Sequence, residues 1–416
     1  MYTLNGNHSN YGVAEQTLSD GDSVVFHYTD NYTKERGGGT TENGQTTADL
    51  HSAAELRGVA EESGSRADVY RATGDYLETL GTPQVGAVGG EWMVIGLARS
   101  GRKVPGDYYD NVLQYAAENM DANERLHPAK STDNARVILA LTAIGKDVTD
   151  VDGHNLLLGL NDLNYLQKQG INGPIWALIA LDAGNYPDPD GGDVTREALI
   201  RVILDAQLED GGWALSGENA DPDMTGMALQ ALAPYYDRSQ AVQNAVDGAV
   251  ALLSAMQDGN GGYSGVDGAS CESIAQVIVA LTALGFDPAT DTRFVKNGIS
   301  ILDALMQYAV SDGGFRHDLT GERDGMATEQ GYCALTAYDR FLRAKTALYM
   351  MTDVIDLGGD TVPEPVDSRP ADTGSAEMDA EGGFPWEMVL TVLGIGAGVT
   401  AAAVWRKRIR QANSGT

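Results

Sequence analysis

The sequence predicts an all-α body, a closed (α/α)6 toroid of six helix pairs, with a small partial β module before it and one C-terminal transmembrane helix after it. Three observations predict the ring. First, short Ala-rich apolar helices recur along the chain, marked by Leu97, Leu141, Leu181, Leu232, Leu281 and Leu335 at spacings of 44, 40, 51, 49 and 54 residues. A period of this size is that of stacked supersecondary units. Second, more polar amphipathic segments alternate with them. Apolar, small-residue-rich helices belong inside a ring and amphipathic ones outside. Third, a turn motif repeats. Gln207 precedes Asp210-Gly211-Gly212-Trp213, Gln257 precedes Asn260-Gly261-Gly262-Tyr263, and Gln307 precedes Asp312-Gly313-Gly314-Phe315. The glycines permit a left-handed turn and the aromatic covers it.

In chain order, residues 1–36 read as a β-rich module. Tyr2-Thr3-Leu4 runs into a turn at Asn5-Gly6, residues 11–14 form a second strand, and residues 23–29 a third. Residues 37–47 are a Gly-rich linker. The toroid spans residues 48–357. Its inner helices are expected at 91–100, 132–144, 174–183, 223–235, 271–284 and 327–341, and its outer ones at 66–80, 108–119, 155–167, 194–207, 240–257 and 293–308. An open solenoid is the rival, disfavoured because the terminal repeats lack polar caps. Residues 358–383 read as an acidic, proline-containing stalk. Residues 384–405 then form the apolar helix, whose last 18 residues, Met388 to Trp405, carry no charge. A basic tail at 406–416 should stay cytoplasmic, which puts the body outside the cell membrane on a single span. No secretion signal opens the chain, so further residues are expected before Met1. The strand at Met1 to Leu4 is then expected to be an exposed edge.

Composition narrows the function. The 28 Lys and Arg against 59 Asp and Glu give a formal charge of −31, a field that repels nucleic acid. Two cysteines, Cys271 and Cys333, make no disulfide framework and sit in apolar helical contexts.

The Gln…Gly-Gly-aromatic repeats and the helix Cys271-Glu272-Ser273-Ile274-Ala275-Gln276-Val277 resemble the prenyltransferase and squalene-cyclase type repeat. That superfamily shares the α/α toroid of terpenoid cyclases, protein prenyltransferase β-subunits and cobalamin carriers. Gly90-Glu91-Trp92, Gly96-Leu97-Ala98-Arg99-Ser100-Gly101 and Ala327-Thr328-Glu329-Gln330-Gly331-Tyr332 look like a branch of bacterial surface toroids. Leu4-Asn5-Gly6 with Leu18-Ser19-Asp20-Gly21-Asp22-Ser23-Val24 resembles part of a transcobalamin-like C-terminal β-domain, which implies a cobalamin or other corrinoid ligand. Pro370-Ala371-Asp372-Thr373-Gly374 resembles a sortase signal, with only Thr373 and Gly374 fitting.

Inner helices that all point one way gather their N-termini at one mouth. Glu91, Trp92, Asp133, Asn134, Asp223, Glu272, Glu329 and Gln330 are expected there as a ligand-binding set, with helix capping as the plain structural role of its acidic members. The catalytic candidates are Asp221, Asp223, Glu272 and Glu329. A class II terpene cyclase needs an aspartic acid that protonates an alkene. Asp221-Pro222-Asp223-Met224 is similar to that motif, with Met224 where the family has a further Asp. Carbocation lining would come from Trp92, Trp176 and Tyr332. A protein prenyltransferase needs zinc. Cys271 is a weak metal candidate, Glu329 stands where a His is expected, and His317 lies in the preceding loop. A glycan-cleaving toroid would use two of the four carboxylates. The sequence favours a non-catalytic surface module binding a small molecule or surface ligand, with an enzyme as the alternative.

Overall fold

The computed structural model describes residues 65–354, apart from 266–267, and the backbone of three short strands near the N-terminus. The linker, the stalk, the expected strand at 11–14, the sortase-like motif and the apolar segment at 384–405 lie outside the described residues. Among the described residues no helix is long and apolar enough to cross a membrane.

The strands are β1 (Tyr2–Leu4), β2 (Asn7–His8) and β3 (Val24–Phe26). β1 pairs antiparallel with β2 in the register Leu4↔Asn7, and with β3 in the register Thr3↔Val25. The sheet order is β2-β1-β3, so β1 is the middle strand and not the exposed edge that the sequence led us to expect. β2 satisfies one side of β1 and β3 the other.

The ring begins with α1 (Arg66–Thr79), an outer helix, followed by inner α2 (Glu91–Ser100), outer α3 (Tyr108–Asn119) and inner α4 (Thr132–Ala143). After a short α5 (Leu163–Leu166) come inner α6 (Asn172–Ala183), outer α7 (Arg196–Asp205), inner α8 (Pro222–Leu232) and outer α9 (Gln240–Met256). Inner α10 (Cys271–Ala283), short outer α11 (Ile301–Met306) and inner α12 (Gly325–Leu342) complete it. Each inner helix packs on the next, and α12 packs on α2 and on α1, so the ring is closed. Closure is tight. A Cβ on Gly96 of α2 would stand 2.9 Å from the Tyr332 ring of α12. The Tyr332 hydroxyl donates to Ser100 at 2.9 Å, and Arg340 donates to the Arg99 carbonyl at 3.0 Å. Interdigitation at this spacing is what lets two helix backbones approach.

Two outer elements differ from expectation. The third is not one amphipathic helix but a 3-10 turn at Leu156–Leu160, then α5, then a second 3-10 turn at Gln167–Gln169. Its Gly159 lies so close to Asn134 and to the Glu124 carbonyl that any Cβ would collide, and Asn155 and Asp162 each cap a fresh start. The sixth is a β-hairpin of β4 (Val295–Lys296) and β5 (Ile299–Ser300) leading into the single turn and a half of α11. Asn297 at φ 52° and Gly298 at φ 80° make its turn.

The Gly-Gly-aromatic turns hold neighbouring pairs together. Gly211, Gly261 and Gly313 have φ of 97°, 80° and 94°, where a side chain would be strained. The Gln207 amide donates to Gly211 O at 2.7 Å and to Ala245 O of α9 at 3.0 Å. Gln257 repeats this, donating to Gly261 O and Phe294 O. Trp213, Tyr263 and Phe315 are fully buried behind them.

Candidate functional site at the N-terminal mouth

Because the inner helices run parallel, their interior positions fall in layers. Five residues before each marker leucine stand Trp92, Arg136, Trp176, Met227, Gln276 and Gln330. These positions face the axis. Trp92 and Trp176, from helices that are not neighbours in the ring, meet at a centroid distance of 4.8 Å. Tyr349 comes up from the segment after α12 and sets its ring 5.6 Å from Trp176 and 6.3 Å from Trp92. Gln276 donates to Gln330 at 3.1 Å and accepts from Gln230 at 2.8 Å, so three amides bridge α8, α10 and α12. One helical turn nearer the N-termini the same stripe carries Asp223 and Glu272.

Asp221 is the N-cap of α8. Its carboxylate accepts from the Asp223 and Met224 amides at 2.9 and 3.0 Å, with Pro222 in the first turn. That is a capping role and removes Asp221 from the proton-donor candidates. Asp223 is free of such work. Its Oδ1 is buried with no hydrogen-bond partner. Burial first, then the charge of Asp221, push its carboxyl up to about 7; the Ser273 hydroxyl and the more distant His317 pull the other way.

Glu272 accepts from His317 Nδ1 at 2.9 Å. The hydrogen bond to Glu272 raises the imidazole to about 9 against the cost of its burial, so at neutral pH the two form an ion pair at the mouth. Glu329 is almost fully buried and accepts from the Gly89 amide. Burial drives its carboxyl up to about 8, and the nearby charge of Glu91 adds to this.

The remaining predicted site residues separate. Glu91 is buried between helices, where Oε1 accepts from the Gly86 amide at 2.8 Å and the Tyr108 hydroxyl at 3.1 Å. Its Oε2 lies 4.0 Å from Arg136, and burial raises its carboxyl despite that cation. Asp133 pairs with Arg136. Asn134 is not at the mouth: its amide binds Leu126 N, Glu124 O and Leu156 O and fastens the loop ahead of α4. Tyr332 does not line the axis either. It is fully buried between α12, α2 and α1, 5.1 Å from the Tyr70 ring. Tyr349 takes the aromatic position expected of it. The Cys271 thiol is buried, points at Ala327 O at 3.8 Å, and is held well above the ordinary thiol range by that burial. Among the described residues no three His, Cys, Asp or Glu side chains are grouped to hold a metal ion.

The loops feeding the mouth also carry exposed apolar side chains, Val88, Leu215 and Leu319, beside Met326 in the first turn of α12. The mouth is therefore an acidic cup with an apolar rim and an aromatic floor.

No family model matches the chain, and no curated protein matches it in sequence. Among solved structures it is similar to Candida albicans protein geranylgeranyltransferase-I complexed with GGPP, at 12% identity and a TM-score of 0.44, covering 66% of this chain and 91% of that one. It is also similar to ent-copalyl diphosphate synthase from Streptomyces platensis, at 20% identity and a TM-score of 0.37, covering 59% of this chain and 49% of that one. The chain thus spans about half of the latter enzyme. The assignment of a toroid rests on the helix contacts described above.

Proposed function

We propose that the toroid is an enzyme of the terpenoid-cyclase type, in which Asp223 gives a proton to an apolar, alkene-bearing substrate at the N-terminal mouth. The observation that carries this reading is the Asp223 carboxyl: raised to about 7, so that about half of it is protonated at neutral pH, with Oδ1 buried and turned to no partner in the protein. A carboxylic acid kept neutral in this way is able to donate. In the step, the Asp223 O–H bond breaks, a C–H bond forms at one alkene carbon, and the other carbon becomes cationic. The carboxylate left behind is stabilised by Ser273 and by the His317 imidazolium. Trp92 and Tyr349 offer ring faces to the cation, and the apolar rim suits entry of a prenyl chain. Cation quenching by proton loss returns the balance. Met224, in place of a further Asp, leaves the donor itself unchanged.

The test is turnover of squalene and of geranylgeranyl diphosphate by the full chain in D2O. The expected product carries one deuteron, activity falls as pH rises above about 7, and Asp223→Asn abolishes it. Turnover that survives Asp223→Asn overturns the reading.

One observation favours the second reading, a non-catalytic binding module. Trp92, Trp176 and Tyr349 touch one another and close the middle of the ring, so the mouth is shallow. A surface module of this kind, carried by the apolar segment at 384–405 and taking a corrinoid, would bind hydroxocobalamin and turn over neither prenyl substrate.

A further inference from the structure

The opposite mouth contains a cavity that shares only Tyr349 with the N-terminal site. It measures about 250 Å³ and lies between the last turns of α6, α8 and α10 and the segment that follows α12. Its walls are apolar, from Ile179, Val279, Ala283, Leu348 and Tyr349. Two polar groups at it are already engaged or open to solvent. Asp182 accepts a hydrogen bond from the Tyr235 hydroxyl, shared between its two oxygens at 2.9 Å each, and another from Arg196 at 2.7 Å. Arg238 stands exposed at the edge.

Gln230 differs from both. It lines the cavity, is 6% exposed, and its Oε1 is buried without a hydrogen-bond partner. The orientation of this amide is fixed. Its Nε2 donates to the Gln276 main-chain carbonyl at 2.9 Å, and a carbonyl can only accept, so nitrogen must face Gln276 and oxygen must face away. A buried acceptor left unmade is costly, and one beside an apolar cavity invites a donor.

We infer that this cavity is a ligand site for a compact apolar molecule, one substituted ring in size, that donates a single hydroxyl or N–H to Gln230 Oε1. The volume sets the size: an apolar cavity of roughly 150 Å³ admits benzene, and drug-sized ligands need about 300 Å³ or more. The satisfied state of Asp182 sets the polarity, because Gln230 is the acceptor that lacks a partner. The wall made by Ala347–Met350 is fastened from behind. Arg99 donates to the carbonyls of Leu348, Ala347 and Met350 at 2.9, 3.2 and 2.9 Å, so the site is formed before ligand arrives.

The test uses the full chain and two probes of equal shape, 4-ethylphenol and 4-ethyltoluene, titrated calorimetrically. Both should bind the wild type. Gln230→Leu should weaken 4-ethylphenol relative to 4-ethyltoluene by about tenfold, the value of one net hydrogen bond. Retained 4-ethyltoluene binding shows that the variant is folded. Ala283→Phe, which fills the cavity, should abolish both, whereas Asp223→Asn at the other mouth should change neither. Failure of both probes to bind at millimolar concentration, or binding indifferent to Ala283→Phe, overturns the assignment. An unchanged preference in Gln230→Leu overturns the role of Gln230.

Discussion

The two mouths of the ring are built on opposite principles. At the C-terminal mouth the charges are spent. Arg99 and Arg340, each about 5% exposed or less, grip the segment 346–353 through Thr346 and its neighbouring carbonyls and through Asp353. Burial alone would raise the Asp353 carboxyl, but hydrogen bonds from both arginines win and hold it at about 2. At the N-terminal mouth the charges are unspent. Burial raises the Asp223 and Glu329 carboxyls to about 7 and about 8, and Asp223 Oδ1 and Glu91 Oε2 have no hydrogen-bond partner. A satisfied network fastens a chain. An unsatisfied one stores a free-energy cost that only a ligand or a reacting group removes, the usual mark of a working site.

The comparison breaks most visibly at the fastened end. Arg99→Met removes five donated hydrogen bonds and leaves Asp353 half-paired. It should lower stability by on the order of 3 kcal/mol, read by urea unfolding at pH 7. It should also expose the segment after α12 to protease. An unchanged midpoint would mean that the strap contributes nothing.

At the open end the sign reverses. The Asp223 carboxyl titrates at about 7 in the folded chain against an ordinary 3.8, and Glu329 at about 8 against 4.5. Between those values the folded state binds the extra proton, so stability falls as pH rises from about 4 to about 8 and is then level. Asp223→Asn and Glu329→Gln remove that fall. Each should therefore stabilise the protein at pH 8, by on the order of 2 kcal/mol, and make little difference at pH 4. Equal destabilisation at both pH values would return these residues to the role of helix caps.

The smallest effect belongs to His317. Its folded value of about 9 lies above the ordinary 6.5, so its pairing with Glu272 stabilises fully below 6.5 and is lost as pH rises through 9. The imidazole is 45% exposed, and solvent screening reduces the gain to about 1 kcal/mol or less. His317→Gln should cost that much at pH 6 and nothing at pH 10 in the same unfolding assay.

Much of this was legible in the residues. The leucine markers located all six inner helices, because a buried stripe repeats whatever else the repeat does. The Gly-Gly-aromatic turns were visible because positive φ demands glycine. Asp223, Glu272 and Glu329 stood out by their place at helix starts. What was not legible came from contacts between distant segments. Asn134 looks like a mouth residue until the loop at 124–126 and Leu156 claim its amide. Tyr332 faces sideways because Gly96 makes room for it, and Tyr349 enters the axis from a segment with no periodic pattern at all. One further signal is in the sequence: Arg136, Met227, Gln276 and Gln330 all lie five residues before a marker leucine, with Trp92 and Trp176. That shared register names the interior layer directly.

Asp223 keeps its proton well above the ordinary carboxylate range, with Oδ1 unpartnered in the mouth. Difference infrared spectroscopy across a pH titration, wild type minus Asp223→Asn, isolates the carboxyl stretch of this one group. The expected result is a protonated-carboxyl band that disappears with a midpoint near pH 7. A carboxylate already ionised at pH 5, with the band lost near the ordinary 3.8, would contradict it.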